Sequence, residues 1–99
     1  MSTVKAAGKV LRVIKAMRGH SLSGVSIKQL SEQLGEPASQ VHRALQTLID
    51  EGFAKQEPNG LYTIGTAMVQ IATSHYSEIE RAKARIAEVE QRTSINIIY

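Results

Sequence analysis

Residues 26–52 read SIKQLSEQLGEPASQVHRALQTLIDEG, and this stretch specifies two short helices joined by a sharp turn. The Ser26 hydroxyl can cap a helix, and Gln29 three residues later completes a capping box. Ile27, Leu30 and Leu34 then form a buried stripe. Gly35 supplies the left-handed backbone with which helices commonly end. Pro37 opens the next helix, at a position where its missing N–H costs nothing. Val41, Leu45 and Leu48 give that helix its core face, and Gly52 closes it. The joint spacing of Leu30, Leu34, Gly35, Val41 and Leu45 is that of a helix-turn-helix, with the second helix docked on the first.

Upstream, Thr3 to Arg18 repeats apolar residues at Ala7, Val10, Leu11, Ile14 and Met17. That is one helical face, with Lys5, Lys9 and Arg12 stacked on another. Gly19 ends this helix, and Ser21 to Val25 read as a loop with a short extended piece. Downstream, the runs Phe53–Glu57 and Leu61–Ile64 flank Pro58-Asn59-Gly60. Asn-Gly tolerates the positive φ of a tight turn, so the two runs form a β-hairpin, with Tyr62 and Ile64 on one face.

From Thr66 to about Thr93 the pattern is helical again. Ala72, Ile79, Ile86 and Thr93 lie seven apart, with Tyr76, Ala82 and Val89 between them, a loose heptad seam. Thr73-Ser74 is where this helix breaks or kinks, and Ser77 with Glu80 can cap a fresh start. A helix of about 28 residues spans ~42 Å, more than the preceding winged body covers, so it needs a partner, most simply a second copy. Ile95 to Tyr99 reads as a short strand whose open edge invites pairing with its twin. The expected fold is thus mainly α with a small β-hairpin: a winged helix-turn-helix over 1–65, a linker or dimerisation helix over 66–94, and the start of a strand over 95–99.

Composition narrows the functional classes. The chain has 99 residues, of which 42% are hydrophobic and 21% charged, enough for one core and against wholesale disorder. It contains no cysteine, which removes disulfides, thiolate metal sites and cysteine nucleophiles. No apolar run reaches the ~18 residues of a membrane span. The net charge of +3 comes from 12 Lys plus Arg against 9 Asp plus Glu. No acid precedes Glu32, and beyond Thr66 the charges cancel. The surplus sits in the first two thirds of the chain and suits an anionic partner. A basic amphipathic start also has the make-up of a mitochondrial transit peptide, but this one leads straight into folded pattern without a Ser-rich cleavage region.

With Val41, Leu45 and Leu48 inward, the third helix turns Ser39, Arg43, Gln46 and Asp50 outward. Gln40 and Thr47 flank that face on one side and His42 on the other. Hydroxyl, amide and guanidinium groups on one face suit a DNA major groove: Gln pairs bidentately with adenine, Arg with guanine, and Ser or Thr with base or phosphate. The first turn, Pro37 to Gln40, offers unpaired backbone N–H groups to a phosphate oxygen. Lys55, Gln56 and Asn59 put the hairpin within reach of the backbone or a minor groove, Asn59 serving turn geometry first. The candidate DNA-binding residues are therefore Ser39, Gln40, His42, Arg43, Gln46, Thr47, Lys55 and Asn59.

Several stretches carry a family resemblance: Leu34-Gly35-Glu36-Pro37, the run Gln40-Val41-His42-Arg43-Ala44-Leu45, Glu51-Gly52-Phe53, and Gly60-Leu61-Tyr62-Thr63-Ile64-Gly65. Together they resemble the N-terminal domain of IclR-type transcription regulators. Arg81 to Ile97 resembles that family's linker helix and the first strand of its effector-binding domain. The resemblance implies a dimeric, cytoplasmic winged-helix protein of prokaryotic or phage type, controlling transcription at palindromic operators, usually as a repressor and sometimes as an activator. Family members continue for another domain, where a small metabolite binds. This chain is expected to be a truncated or stand-alone DNA-binding module without an effector pocket. Two positions depart from the pattern: Glu36 stands where the turn is usually apolar, and Leu61 where the wing commonly carries a polar or basic residue.

Other chemistries find little support. His20, His42 and His75 have no metal-ligand spacing. Asp50 and Glu51 are helix neighbours that cannot face each other as an acid–base pair. No phosphate-cradling glycine loop or catalytic triad order occurs, so neither enzyme activity nor a cofactor is expected. The rival readings are a winged helix used for protein interaction, and an architectural or replication-associated DNA binder with little sequence choice.

Overall fold

The computed structural model describes the backbone of residues 3–97 and the side chains up to residue 93. The elements run α1 (Lys5–Ala16), α2 (Ile27–Leu34), α3 (Ala38–Asp50), β1 (Ala54–Gln56), β2 (Tyr62–Ile64) and α4 (Thr66–Ile97). The fold is mostly helical with one antiparallel hairpin, a winged helix-turn-helix followed by a long helix. The chain divides into two units, Met1–Val69 and Gln70–Tyr99.

In the first unit, three helices and the hairpin enclose one core. Met17, Leu30 and Leu45 are wholly buried at its centre, with Val13, Val25, Val41 and Leu48 around them. Each such side chain contributes about 1.5–3 kcal/mol through burial. The α2 start is a complete capping box: Gln29 N–H donates to Ser26 Oγ (3.1 Å) and Ser26 N–H to Gln29 Oε1 (2.8 Å). Gly35 ends α2 at φ 67°, in the left-handed region where a Cβ is penalised. The Ser31 hydroxyl then donates to the Glu36 carbonyl oxygen at 2.6 Å. This bond ties down the turn that brings α3 across α2.

The face that α1 buries differs from the expected one. Val13, Ile14, Ala16 and Met17 are buried and Val10 is half-buried, whereas Ala7 is exposed and Leu11 is 58% exposed. The helix carries two apolar stripes, 10-13-14-17 and 4-7-11. Spacing alone does not say which of them meets the body, and the longer, bulkier stripe packs.

The hairpin pairs Ala54 with Ile64, Lys55 with Thr63 and Gln56 with Tyr62. Val25 adds a one-residue bridge on the far side of β2, exchanging two hydrogen bonds of 2.9 Å with Tyr62. This is the extended piece of the loop before α2. At the tip, Gly60 N–H donates to the Glu57 carbonyl (2.8 Å), and Glu57 N–H to the Leu61 carbonyl (2.8 Å). Within this turn Gly60 alone has positive φ, at 87°. The turn is therefore a three-residue loop with a single left-handed glycine, and Asn59 stays in the ordinary region. Asn59 contributes instead through its side chain, whose Oδ1 accepts the Leu61 N–H at 3.0 Å.

Gly65 and Gly52 lock the hairpin base to the start of α4. Gly65 N–H donates to the Phe53 carbonyl and Ala67 N–H to the Gly52 carbonyl, both at 2.9 Å. A Cβ on Gly65 would collide with the Gly52 carbonyl oxygen and stand 2.9 Å from the Ala54 nitrogen. The first turn of α4 belongs to this unit, and its Met68 packs on the core.

The second unit is the rest of α4. The helix runs unbroken through Thr73-Ser74, where a break or kink was expected, and Ser77 caps no new start. Two weak helix formers do not offset the hydrogen bonds that continuing the helix provides. Residues 95–97, expected to begin a strand, are helical as well; residues 98–99 lie outside the described residues. A three-residue strand without a partner has nothing to pair with, whereas extending a formed helix adds one bond per residue. The seam residues Tyr76, Ile86 and Val89 are 67%, 60% and 56% exposed. Among the described residues no helix is long and apolar enough to cross a membrane.

Candidate nucleic-acid interface

The rotation of α3 is set by its buried face, Val41, Ala44, Leu45 and Leu48. At 100° per residue, Ser39, Arg43, Gln46 and Asp50 are carried to the opposite side. All four are exposed, as are Gln40, His42 and Thr47 on the flanks. Among the described residues Arg43 has neither an ion pair nor a side-chain hydrogen bond, and its guanidinium is available outward. The Thr47 hydroxyl is engaged within the helix, donating to the Arg43 carbonyl oxygen at 3.2 Å. It retains an acceptor lone pair but no donor for a ligand.

The first turn of α3 differs in detail from the sequence reading. Pro37 is the N-cap rather than the first helical residue, and it supplies no capping side chain. The Gln40 N–H is bonded to the Pro37 carbonyl oxygen at 3.0 Å. Among the described residues this leaves the N–H groups of Ala38 and Ser39 without a backbone partner, and these can meet an anion.

Gln40 also reaches α1: Lys9 Nζ donates to its Oε1 at 3.0 Å. Sequence reading put Lys9 on a basic stripe, but which stripe of α1 would lie against α3 was not encoded in the spacing. The groove beside this contact, about 430 Å³, has Lys5, Lys9, Gln40 and Arg43 on its walls and Val10 and Ala44 on its floor.

The wing places Lys55 and Asn59 at the surface, both exposed. Lys55 is held by its own strand, with Nζ 3.4 Å from Glu57 Oε1, and the same carboxylate oxygen accepts the Thr63 hydroxyl at 2.8 Å. Among the described residues Thr63 is the one buried polar residue, and its hydroxyl is the main cause that holds the Glu57 carboxyl below its ordinary pKa; burial opposes it, and the Lys55 charge adds a smaller lowering. Asn59 and Gln56 are also internally bonded, Gln56 Nε2 donating to the Gly60 carbonyl at 3.2 Å. Leu61 is half-buried, and its side chain lies over Gly24. Glu57 and Thr63 were not recognisable as a pair in the sequence, because their contact depends on the three-residue turn. Among the described residues no group of three His, Asp or Glu side chains gathers to hold a metal ion.

The IclR helix-turn-helix domain model matches residues 6–58, more than half of the chain. The crystal structure of HmgR from Pseudomonas aeruginosa superposes with a TM-score of 0.69 at 31% identity, over 78% of this chain and 33% of that one. An IclR transcriptional regulator from Alicyclobacillus acidocaldarius gives a TM-score of 0.65 at 23% identity, over 73% of this chain and 29% of that one. An IclR family transcriptional regulator from Brucella abortus gives 0.64 at 20% identity, over 74% and 28%. The last two likenesses speak to fold alone. No curated protein matches the chain. The chain spans about a third of the length of the solved proteins it resembles. From the matched family model and the helix-turn-helix geometry described above, the chain belongs to the IclR helix-turn-helix family.

Proposed function

We propose that the chain binds double-stranded DNA sequence-specifically, as a homodimer on a palindromic operator, and regulates transcription, chiefly by repression. The observation that carries this reading is the exposed face of α3, with Arg43 unengaged at its centre and Ser39 and Gln46 on either side. A helix 10–12 Å across fits a major groove about 12 Å wide. Arg43 can then pair bidentately with guanine, while Ser39 and Gln46 meet neighbouring base edges. His42, Lys55 and Asn59 would meet the sugar–phosphate backbone and position the domain rather than choose the sequence, whereas Thr47, whose hydroxyl donates to the Arg43 carbonyl, joins them only by giving up that bond. The setting for such a protein is the cytoplasm of a prokaryotic or phage-infected cell.

The exposed seam of α4 supports the dimer. Taking Ala72, Ile79, Ile86 and Thr93 as the a positions of a heptad puts Glu78 and Arg85 at g and Lys83 and Glu90 at e. Two parallel copies would set Glu78 against Lys83 of the second copy and Arg85 against its Glu90, complementary at both levels. Such a dimer reads two half-sites about one helical turn apart, or a multiple of that. A site so occupied is closed to other proteins, which favours repression.

The rival reading as a protein-interaction module draws on Asp50 in the outward face and on the pairing of Lys55 with Glu57. Titration of selected and random duplexes at two salt concentrations separates the readings. A regulator binds the selected duplex more tightly than random DNA, an architectural binder holds both equally, and an interaction module binds neither. Either of the last two outcomes overturns the proposal.

A further inference from the structure

The groove between α1 and α3 contains a contact that the DNA-reading face does not account for. Lys9 Nζ donates to Gln40 Oε1 at 3.0 Å, joining the first helix to the first turn of α3. Gln40 lies about a quarter-turn from the buried direction of α3, on the flank rather than at the centre of the outward face. A helix seated in a major groove nearly fills it, so its flanks abut the phosphate ridges while its centre faces the bases. The chemistry agrees with the position. An ammonium group has donors only, so the Gln40 amide must turn its oxygen to Lys9 and its NH₂ away. Bidentate pairing with adenine needs a glutamine whose oxygen and NH₂ both turn to one base edge, and here the oxygen is turned to Lys9 with one of its two lone pairs spent. What the pair presents is a cation and an amide donor side by side, which suits a group that only accepts.

Lys5 and Arg43 also border this groove, and among the described residues no carboxylate lines it. Glu36 lines the adjoining cleft together with Lys9, Arg12 and Gln40, but among the described residues it is ion-paired with neither Lys9 nor Arg12. We infer that Lys9 and Gln40 form a backbone clamp that grips one DNA phosphate in each half-site, so that Gln40 positions the domain and reads no base. This inference rests on the proposal that α3 enters the major groove, and it adds a residue of α1 to the interface.

The test is a titration of the chain against its selected duplex and against random duplex, at about 50 and about 200 mM salt. For each half-site, Lys9→Ala should flatten the salt slope by about one unit. Its affinity deficit is then about three- to fourfold larger at the lower salt, and equal for both duplexes. Lys9→Arg should restore the slope. Gln40→Ala should weaken both duplexes by the same factor without changing base preference. The double variant should lose less than the product of the two single losses, because each side chain orients the other. An unaltered slope in Lys9→Ala, or a preference lost at one base pair in Gln40→Ala, would overturn the clamp while leaving the major-groove reading intact. Failure of the unmodified chain to bind any duplex would overturn both.

Discussion

Replacing Arg43 with alanine removes the one cation at the centre of the α3 face while leaving the helix intact. The side chain is exposed and lies outside the core of Val41, Ala44, Leu45 and Leu48. The hydrogen bond that Arg43 receives from Thr47 goes to its carbonyl oxygen, which alanine keeps. Alanine is the strongest helix former, and surface changes of this kind stay within about 0.5 kcal/mol. Urea denaturation of Arg43→Ala should therefore overlay that of the unmodified chain. Binding should behave differently. A bidentate arginine–guanine pair contributes about 1–3 kcal/mol of discrimination, which is about 5- to 140-fold in affinity per half-site. Fluorescence anisotropy against a panel of operators, each changed at one base pair, gives the position of the loss. The expected result is a preference erased at one position per half-site and retained at the others. Uniform weakening with every preference intact would refute base reading by Arg43, and with it the orientation assigned to α3.

Three further substitutions test particular contacts. Gly65→Ala forces a methyl group into the Gly52 carbonyl, and crowding of this sort costs about 1–3 kcal/mol; a lowered urea midpoint with unchanged slope would bear it out, and an unchanged midpoint would contradict it. Glu57→Gln releases Lys55 from its ion pair, so affinity for random duplex should rise and its salt dependence steepen, as measured by anisotropy at two salt concentrations. The depressed pKa of Glu57 also fixes a sign: its contribution to stability is complete above the ordinary carboxylate value of about 4.3 and declines as pH falls through the lower folded-state value, a decline that Glu57→Gln should remove from a pH series of thermal melts. Ile86→Asp puts a charge on the exposed seam of α4, and light scattering should then report a single copy where the unmodified chain reports two.

The elements that sequence reading placed well are those whose signals are local. The capping box at Ser26 and Gln29, the left-handed Gly35 and the hairpin around Gly60 each depend on neighbours within a few residues, and their chemistry permits few alternatives. The outward face of α3 was legible for the same reason, because one short buried stripe determines its rotation. What the pattern left ambiguous was non-local. α1 offers two apolar stripes, and only packing against α2 and α3 selects the one containing Val13 and Met17, turning Leu11 out and bringing Lys9 to Gln40. The burial of Thr63 depends on Glu57 returning across the turn, and the Val25 bridge on a loop meeting a strand 37 positions later. The β-branched Ile95 and Ile97 favour strand by propensity, but propensity is weak against an established helix, which runs through both positions.

The claim on which the rest depends is that α3 presents a sequence-reading surface to duplex DNA. Repeated selection of bound duplexes from a random pool, using the unmodified chain, tests it most directly. Enrichment of an inverted repeat with a guanine-containing position in each half is the expected result. Recovery of a pool as random as the one supplied would contradict it.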